Sequence, residues 1–222
     1  MFRTRIALAL LASLGAFSAA SAADFGPEPN RFFLHVGPGA VILSEDATMT
    51  AGGQALAGAT IYIRSQVTPI AEVGYYLTPQ VAVSFTGGFP PLAKVEADGS
   101  IKGLGTVGKV RYGPMALTAT YHFGMPFELP MNVRPYVGAG VVYMHVFANK
   151  DGVLTNLKVD DAFGYAGQVG VDAQISEHVG VFIDLKKAHL RTEGTGMLGP
   201  APIAAKIKLD PLVISAGAAF RF

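Results

Sequence analysis

Counting back in twos from the C-terminus separates the chain into two faces. Phe222, Phe220, Ala218, Ala216, Ile214 and Leu212 share one; Arg221, Ala219, Gly217, Ser215 and Val213 share the other, which is smaller and more polar. Period-2 alternation marks a β-strand, whose successive side chains point to opposite sides. The apolar face still runs at the last residue, an aromatic one. Soluble domains fray at their ends, whereas a closed barrel pairs its last strand with its first. The stretch 206–222 is therefore predicted to be the closing strand of a barrel.

The other end of the chain indicates the compartment. Arg3 and Arg5 precede an apolar run from Ile6 to Phe17, and small residues follow, with Ala20-Ser21-Ala22 or Ser21-Ala22-Ala23 fitting a small-x-small cleavage pattern. The run is too short to span a bilayer and is flanked as in a secretory signal peptide. Residues 1–22 are expected to be removed and 23–222 to form one domain. Cleavage takes two of the 17 basic residues and none of the 16 acidic ones, leaving a net charge near −1 and no reason to expect nucleic acid. With no cysteine, disulfide scaffolds, thiolate metal sites, thiol catalysis and a lipidated N-terminal Cys are excluded.

Half of the residues are hydrophobic, only 15% are charged, and mean hydropathy is +0.39. Yet the longest uncharged stretch, 73–93, is broken by Pro79-Gln80, Gly87-Gly88 and Pro90-Pro91. High apolarity with alternation and without a spanning helix points to a transmembrane β-barrel. Alternation predicts strands over 31–43, 67–77, 81–89, 109–123, 132–146, 162–175, 179–190 and 206–222. The joints at 78–80, 124–131 and 176–178 are short, and those at 44–66, 90–108, 147–161 and 191–205 are long loops. The expected fold is all-β: an eight-stranded antiparallel transmembrane β-barrel with short periplasmic turns and long extracellular loops. A soluble eight-stranded barrel such as a lipocalin is the alternative. Hydropathy, the aromatic terminus and Tyr75, Tyr121, Phe123, Tyr143 and Phe220 near strand ends favour the membrane.

The inward positions then divide by height. Near the periplasmic end they are polar, His35, Glu72, Ser84, Thr120, Gln168, Asp172, Asp184, Lys186 and Arg221, with both signs present so that they can pair as a plug. Towards the loops they turn small or apolar: Ile70, Gly88, Pro114, Ala116, Gly138, Gly140, Val142, Leu190 and Val213. An apolar pocket above a polar plug suits a hydrophobic ligand better than ions passing straight through, and an eight-stranded barrel leaves little room for a water channel. Pro90 and Pro114, on neighbouring strands, cannot donate ladder hydrogen bonds. They either weaken the wall into a lateral opening or simply end strand pairing.

Three stretches, RPYVGAGVVY from Arg134, AFGYAGQVGVD from Ala162 and the C-terminal KLDPLVISAGAAFRF, closely resemble the outer-membrane protein W (OmpW) family. The resemblance covers essentially the whole mature chain. It implies an outer-membrane barrel with a hydrophobic internal pocket. Family members, including an alkane-uptake branch, are thought to pass small hydrophobic molecules through a lateral opening, and on the resemblance Pro90 matches the proline there. Two departures stand out: this chain has no Trp, and the family's Leu-Pro-Pro stretch is here Tyr112-Gly113-Pro114.

His145, His189 and Asp160/Asp161 near the loops are residue types a hydrolase would use, but no motif spacing supports one, and no enzyme, cofactor or metal is expected. The expected function is passive uptake of small hydrophobic molecules through a lateral opening in the bacterial outer membrane. A structural or receptor barrel whose loops bind phage, toxin or host ligands is the rival. The expected partners are outer-membrane lipid, small hydrophobic ligands and the barrel-assembly machinery through Phe222, with the protein a monomer.

Overall fold

The computed structural model describes residues 31–124 and 132–222. The predicted signal peptide 1–22, residues 23–30 and residues 125–131 of one predicted connection lie outside them. In chain order the strands are β1 (Phe32–Ile42), β2 (Glu45–Ala51), β3 (Gln54–Ala55), β4 (Ala59–Ile63), β5 (Gln66–Tyr76), β6 (Val81–Gly88), β7 (Leu92–Gly99), β8 (Thr106–His122), β9 (Asn132–Asp151), β10 (Thr155–Val159), β11 (Ala162–Gln174), β12 (Val179–Leu198), β13 (Ala201–Leu209) and β14 (Leu212–Arg221).

Eight of these are staves. β1, β5, β6, β8, β9, β11, β12 and β14 pair antiparallel in that order. β14 then closes on β1, with Phe33 opposite Arg221 and Ile42 opposite Leu212. The last residue takes part in the closure: Phe222 N–H donates to the Phe32 carbonyl at 2.9 Å and Phe32 N–H to the Phe222 carbonyl at 3.1 Å. Closure leaves neither the first nor the last stave with a free edge in lipid, where an unsatisfied peptide group is costly. At the short-turn end, Thr78 Oγ1 accepts from Val81 N–H at 2.9 Å and Ser176 Oγ from Val179 N–H at 3.2 Å, side chains standing in for the missing ladder partner.

Which face is apolar depends on height. In the lower half of β12, Val181, Ile183 and Leu185 are exposed on the outer surface while Phe182, Asp184 and Lys186 are buried inside. Higher up, Arg191 and Glu193 face out and Ala188, Leu190 and Thr192 face in. The surroundings explain the inversion. Lipid demands an apolar exterior and lets the lumen be polar, while water above the bilayer demands the reverse. The lipid-facing band, with Val73, Leu117, Val169 and Ile214 exposed, is flanked by aromatic residues, including Phe32, Tyr121 and Phe222 below and Phe163, Tyr165 and Phe89 above.

The predicted staves hold, but the four long loops are not irregular. Residues 44–66 contain β2, β3 and β4; 90–108 contain β7 and the start of β8; 147–161 contain the end of β9 and β10; 191–205 contain the top of β12 and the start of β13. They raise the wall beyond the bilayer through the β2–β13, β4–β7, β7–β8 and β10–β12 pairings. The predicted strand 206–222 is split at Asp210-Pro211. Pro211 has no N–H to donate; below it β14 closes on β1, and above it β13 pairs with β2.

Candidate functional site

The lower lumen is filled by two touching polar clusters. In one, Lys186 Nζ donates to Glu72 Oε2 at 2.7 Å and to Asp184 Oδ1 at 2.8 Å. Gln168 Nε2 donates to Asp184 Oδ2 at 2.7 Å, Tyr136 OH donates to that same Oδ2 at 2.8 Å, and Ser84 Oγ donates to Glu72 Oε1 at 2.5 Å. Thr118 Oγ1 donates to Gln168 at 2.8 Å. In the other cluster, Asp172 lies 3.3 Å from His35 Nε2 and 4.0 Å from both His122 Nδ1 and Arg221 Nη2. Arg221 also donates to Tyr76 OH at 3.0 Å, and Arg134 stands over the Tyr76 ring. His35 stacks on Phe182, and the His122 and Tyr136 rings join the two clusters. Lys186 thus serves two carboxylates, Glu72 and Asp184, and Arg221 approaches Asp172, pairings of the kind that make buried charge tolerable.

Above the clusters the lumen is apolar. An inner cavity of about 80 Å³ is bordered by Ile70, Gly88, Pro114, Ala116, Val142, Leu190 and Val213 among others, with Lys186 at its edge. A chamber of about 260 Å³ lies among the strands that raise the wall, bordered by Met49, Ile61, Val95, Leu154, Ile203 and Ile207. The two share Leu43, Tyr112, Met144 and Leu209, which form the neck between them.

The wall is interrupted beside the inner cavity. β6 and β8 pair as far as Thr86 opposite Ala116, and β7 and β8 pair from Leu92 opposite Arg111; between these, 87–91 has no register partner on β8. One lip is held to β5, where Phe89 N–H donates to the Pro69 carbonyl at 3.1 Å and Thr68 Oγ1 donates to the Phe89 carbonyl at 2.8 Å. The other carries Pro114, which has no N–H to offer. Pro90 approaches Gly113 across the break: a Cβ on Gly113 would lie 3.4 Å from Pro90 Cγ and 2.9 Å from the Phe147 ring. Outside, a groove of about 780 Å³ shares Ile70, Gly87, Gly88, Phe89, Pro114 and Met115 with the inner cavity.

Seven of the ten predicted pocket residues therefore border the inner cavity, and Pro90 borders the outer groove. Gly138 and Gly140 border neither. They lie lower, packed on β8, where a Cβ would come within 2.6 Å of the Ala119 carbonyl oxygen and 2.0 Å of that of Leu117. The predicted plug residues His35, Glu72, Gln168, Asp172, Asp184, Lys186 and Arg221 all join the two clusters. Sequence reasoning left Tyr76, Tyr136, Thr118 and His122 out of the plug, although each sits on the inward parity of its strand. It missed the upper chamber altogether. The signal was there, in Ala47 and Met49 or Ile203, Ala205, Ile207 and Leu209 at alternate positions, but hidden in stretches rich in Gly, Ala and Thr.

The histidines near the loops point outward and each meets a carboxylate: His145 Nδ1 lies 2.9 Å from Asp161 Oδ2, and His189 Nδ1 lies 2.6 Å from Asp210 Oδ1. Asp161 also accepts from Tyr143 OH at 2.5 Å and Val146 N–H at 2.7 Å. These bonds, the Tyr143 hydroxyl first, then the Val146 amide and His145, hold its carboxyl at about 2. Asp160 pairs instead with Lys158 at 3.3 Å. Among the described residues no group of three or more His, Cys, Asp or Glu side chains is placed to hold a metal ion.

A sequence model of the OmpW family matches residues 28–222. The chain is 34% identical to outer membrane protein AlkL of Ectopseudomonas oleovorans, over 78% of this chain and 74% of that one. It is 32% identical to the dibenzothiophene metabolism operon protein PahQ of Pseudomonas aeruginosa, over 85% and 87%. Among solved structures, the outer membrane protein OprG of Pseudomonas aeruginosa superposes with a TM-score of 0.80 at 19% identity, covering 89% of this chain and 98% of that one, a likeness of fold.

Proposed function

The chain belongs to the OmpW family and is an outer-membrane β-barrel embedded in the lipid bilayer, and we propose that it passes small hydrophobic molecules passively from the cell exterior into the membrane. On this reading a ligand enters the apolar chamber, slips through the neck into the inner cavity, and is turned aside by the charged clusters below. It leaves between β6 and β8. Desolvating paired buried charges to let an apolar molecule continue downward would be costly, whereas the groove beside the break is lined by apolar side chains and glycines. The name of the relative PahQ supports the class: dibenzothiophene is a flat, apolar aromatic molecule.

The observation that carries this reading is the sharing of six residues between the inner cavity and the outer groove, at the place where the β-ladder is interrupted. Its test is uptake of a small hydrophobic tracer by cells that lack their own such barrel. Wild type is compared with Gly87→Trp, since a side chain on Gly87 meets only the Phe85 ring, at 3.8 Å, and would project over the lip. Uptake above that of empty cells, slowed by the variant at equal surface levels, is the expected result. Wild-type uptake no faster than that of empty cells would sink the transport reading and leave the barrel as a receptor or anchor read through its loops.

A further inference from the structure

One polar atom beside the apolar cavity has no hydrogen-bond partner among the described residues. Thr86 borders the inner cavity, is only 9% exposed, and its Oγ1 makes no hydrogen bond, although buried hydroxyls are normally satisfied. It stands opposite Glu72 in the β5–β6 register, and Glu72 holds Lys186 Nζ at 2.7 Å. An ammonium has three protons to donate; two go to Glu72 and Asp184. Lys186 borders the same cavity. A third polar group there, the Thr68 hydroxyl, is already committed to the Phe89 carbonyl. An apolar cavity thus has, at its charged end, a hydroxyl with no partner among the described residues and an ammonium that gives two of its three protons to Glu72 and Asp184.

The size and charge of that end narrow what fits. At about 80 Å³ the cavity holds roughly two to three water-sized portions, enough for a polar tip and its first carbon or two. The remaining tail would lie in the chamber or the groove. A carboxylate tip would face Glu72 and Asp184 with only Lys186 between them, and like charges so close repel. A neutral oxygen meets no such penalty.

We infer that the inner cavity is a docking point for small hydrophobic molecules that end in one neutral oxygen, an alcohol, aldehyde or ketone, held by the Lys186 ammonium and the Thr86 hydroxyl. The inference rests on the transport reading and adds a preference among its substrates: the tail gains entry, and the oxygen fixes where it pauses.

Binding of 1-octanol and of octane to the full barrel in lipid nanodiscs, followed through the backbone amides of Thr86 and Gly88, tests this separately from transport. Wild type should bind octanol more tightly than octane. Thr86→Val should reduce that preference about fivefold, the size expected of a single hydrogen bond, and Thr86→Ser should keep it. Equal binding of the two probes by wild type, or an unaltered preference in Thr86→Val, overturns the inference even if tracer uptake succeeds. A preference in wild type that Thr86→Val abolishes upholds the site even if uptake fails. Should Thr86→Val not fold, wild type and Thr86→Ser decide: both must prefer octanol.

Discussion

Lys186 and Glu72 meet across the lumen at 2.7 Å although 114 residues separate them in the chain. Lys186 comes from β12 and Glu72 from β5, on different sides of the barrel, so only closure brings them together. Their contact forms the floor on which the apolar cavity rests.

Removing the cation at that floor strands two carboxylates. Lys186→Met is expected to destabilise the barrel by about 3–5 kcal/mol, the usual cost of breaking a buried pair from one side. Adding Glu72→Gln should recover part of the loss, because it removes one of the two uncompensated charges. Urea unfolding from lipid vesicles, read by the gel mobility of the folded barrel, measures both.

Gly140 is required by close packing. A Cβ there would lie 2.0 Å from the Leu117 carbonyl oxygen, backbone that cannot yield without moving β8, whereas a Cβ on Gly167 meets nothing within 4 Å. Gly140→Ala should cost about 1–3 kcal/mol, as overpacking does, and Gly167→Ala should stay within roughly 0.5 kcal/mol of wild type. Equal unfolding midpoints for the two variants would contradict this account.

The neck should control the rate of uptake. Leu209 is 7% exposed and borders both the chamber and the inner cavity. Leu209→Ala is expected to join the two spaces and speed tracer uptake, at a stability cost of about 2–5 kcal/mol. Slower uptake at equal surface levels would mean that the neck is not on the route.

Asp161 makes the upper wall sensitive to strong acid. Its carboxyl titrates at about 2, below the ordinary 3.8, because the folded state bonds the charged form. The stabilisation is therefore fully present above about pH 4 and is lost as pH falls towards 2. Protection of the Val146 amide, whose N–H donates to Asp161 at 2.7 Å, taken as its exchange rate relative to that of an unstructured peptide at the same pH, should fall over that window in wild type and already be low at neutral pH in Asp161→Ala.

The staves were legible because the bilayer imposes a strict rule on them. In 162–174 and 179–190 every second residue must face lipid, so Phe163, Tyr165, Val169, Ile183 and Leu185 spelled out the strands and, by parity, the inward Gln168, Asp172, Asp184 and Lys186. Above the membrane the rule relaxes. Water tolerates Thr, Gly, Ala and Lys on the outer face, and small residues suffice on the inner one, so 45–51 and 201–205 resembled loops until their pairing was seen. The Asp210-Pro211 break escaped notice for a related reason: parity runs on unbroken across it, and only the missing N–H marks the change of partner.

Alternation along single strands, a local property, was enough to indicate an eight-stranded barrel, its two faces and its closing strand at the C-terminus. Which inward groups touch, where the ladder opens beside Gly87, and why Gly138 and Gly140 belong to the wall rather than the pocket depend on register and height around the closed sheet. Those are relations between strands far apart in the chain, and they exist only once the barrel has closed.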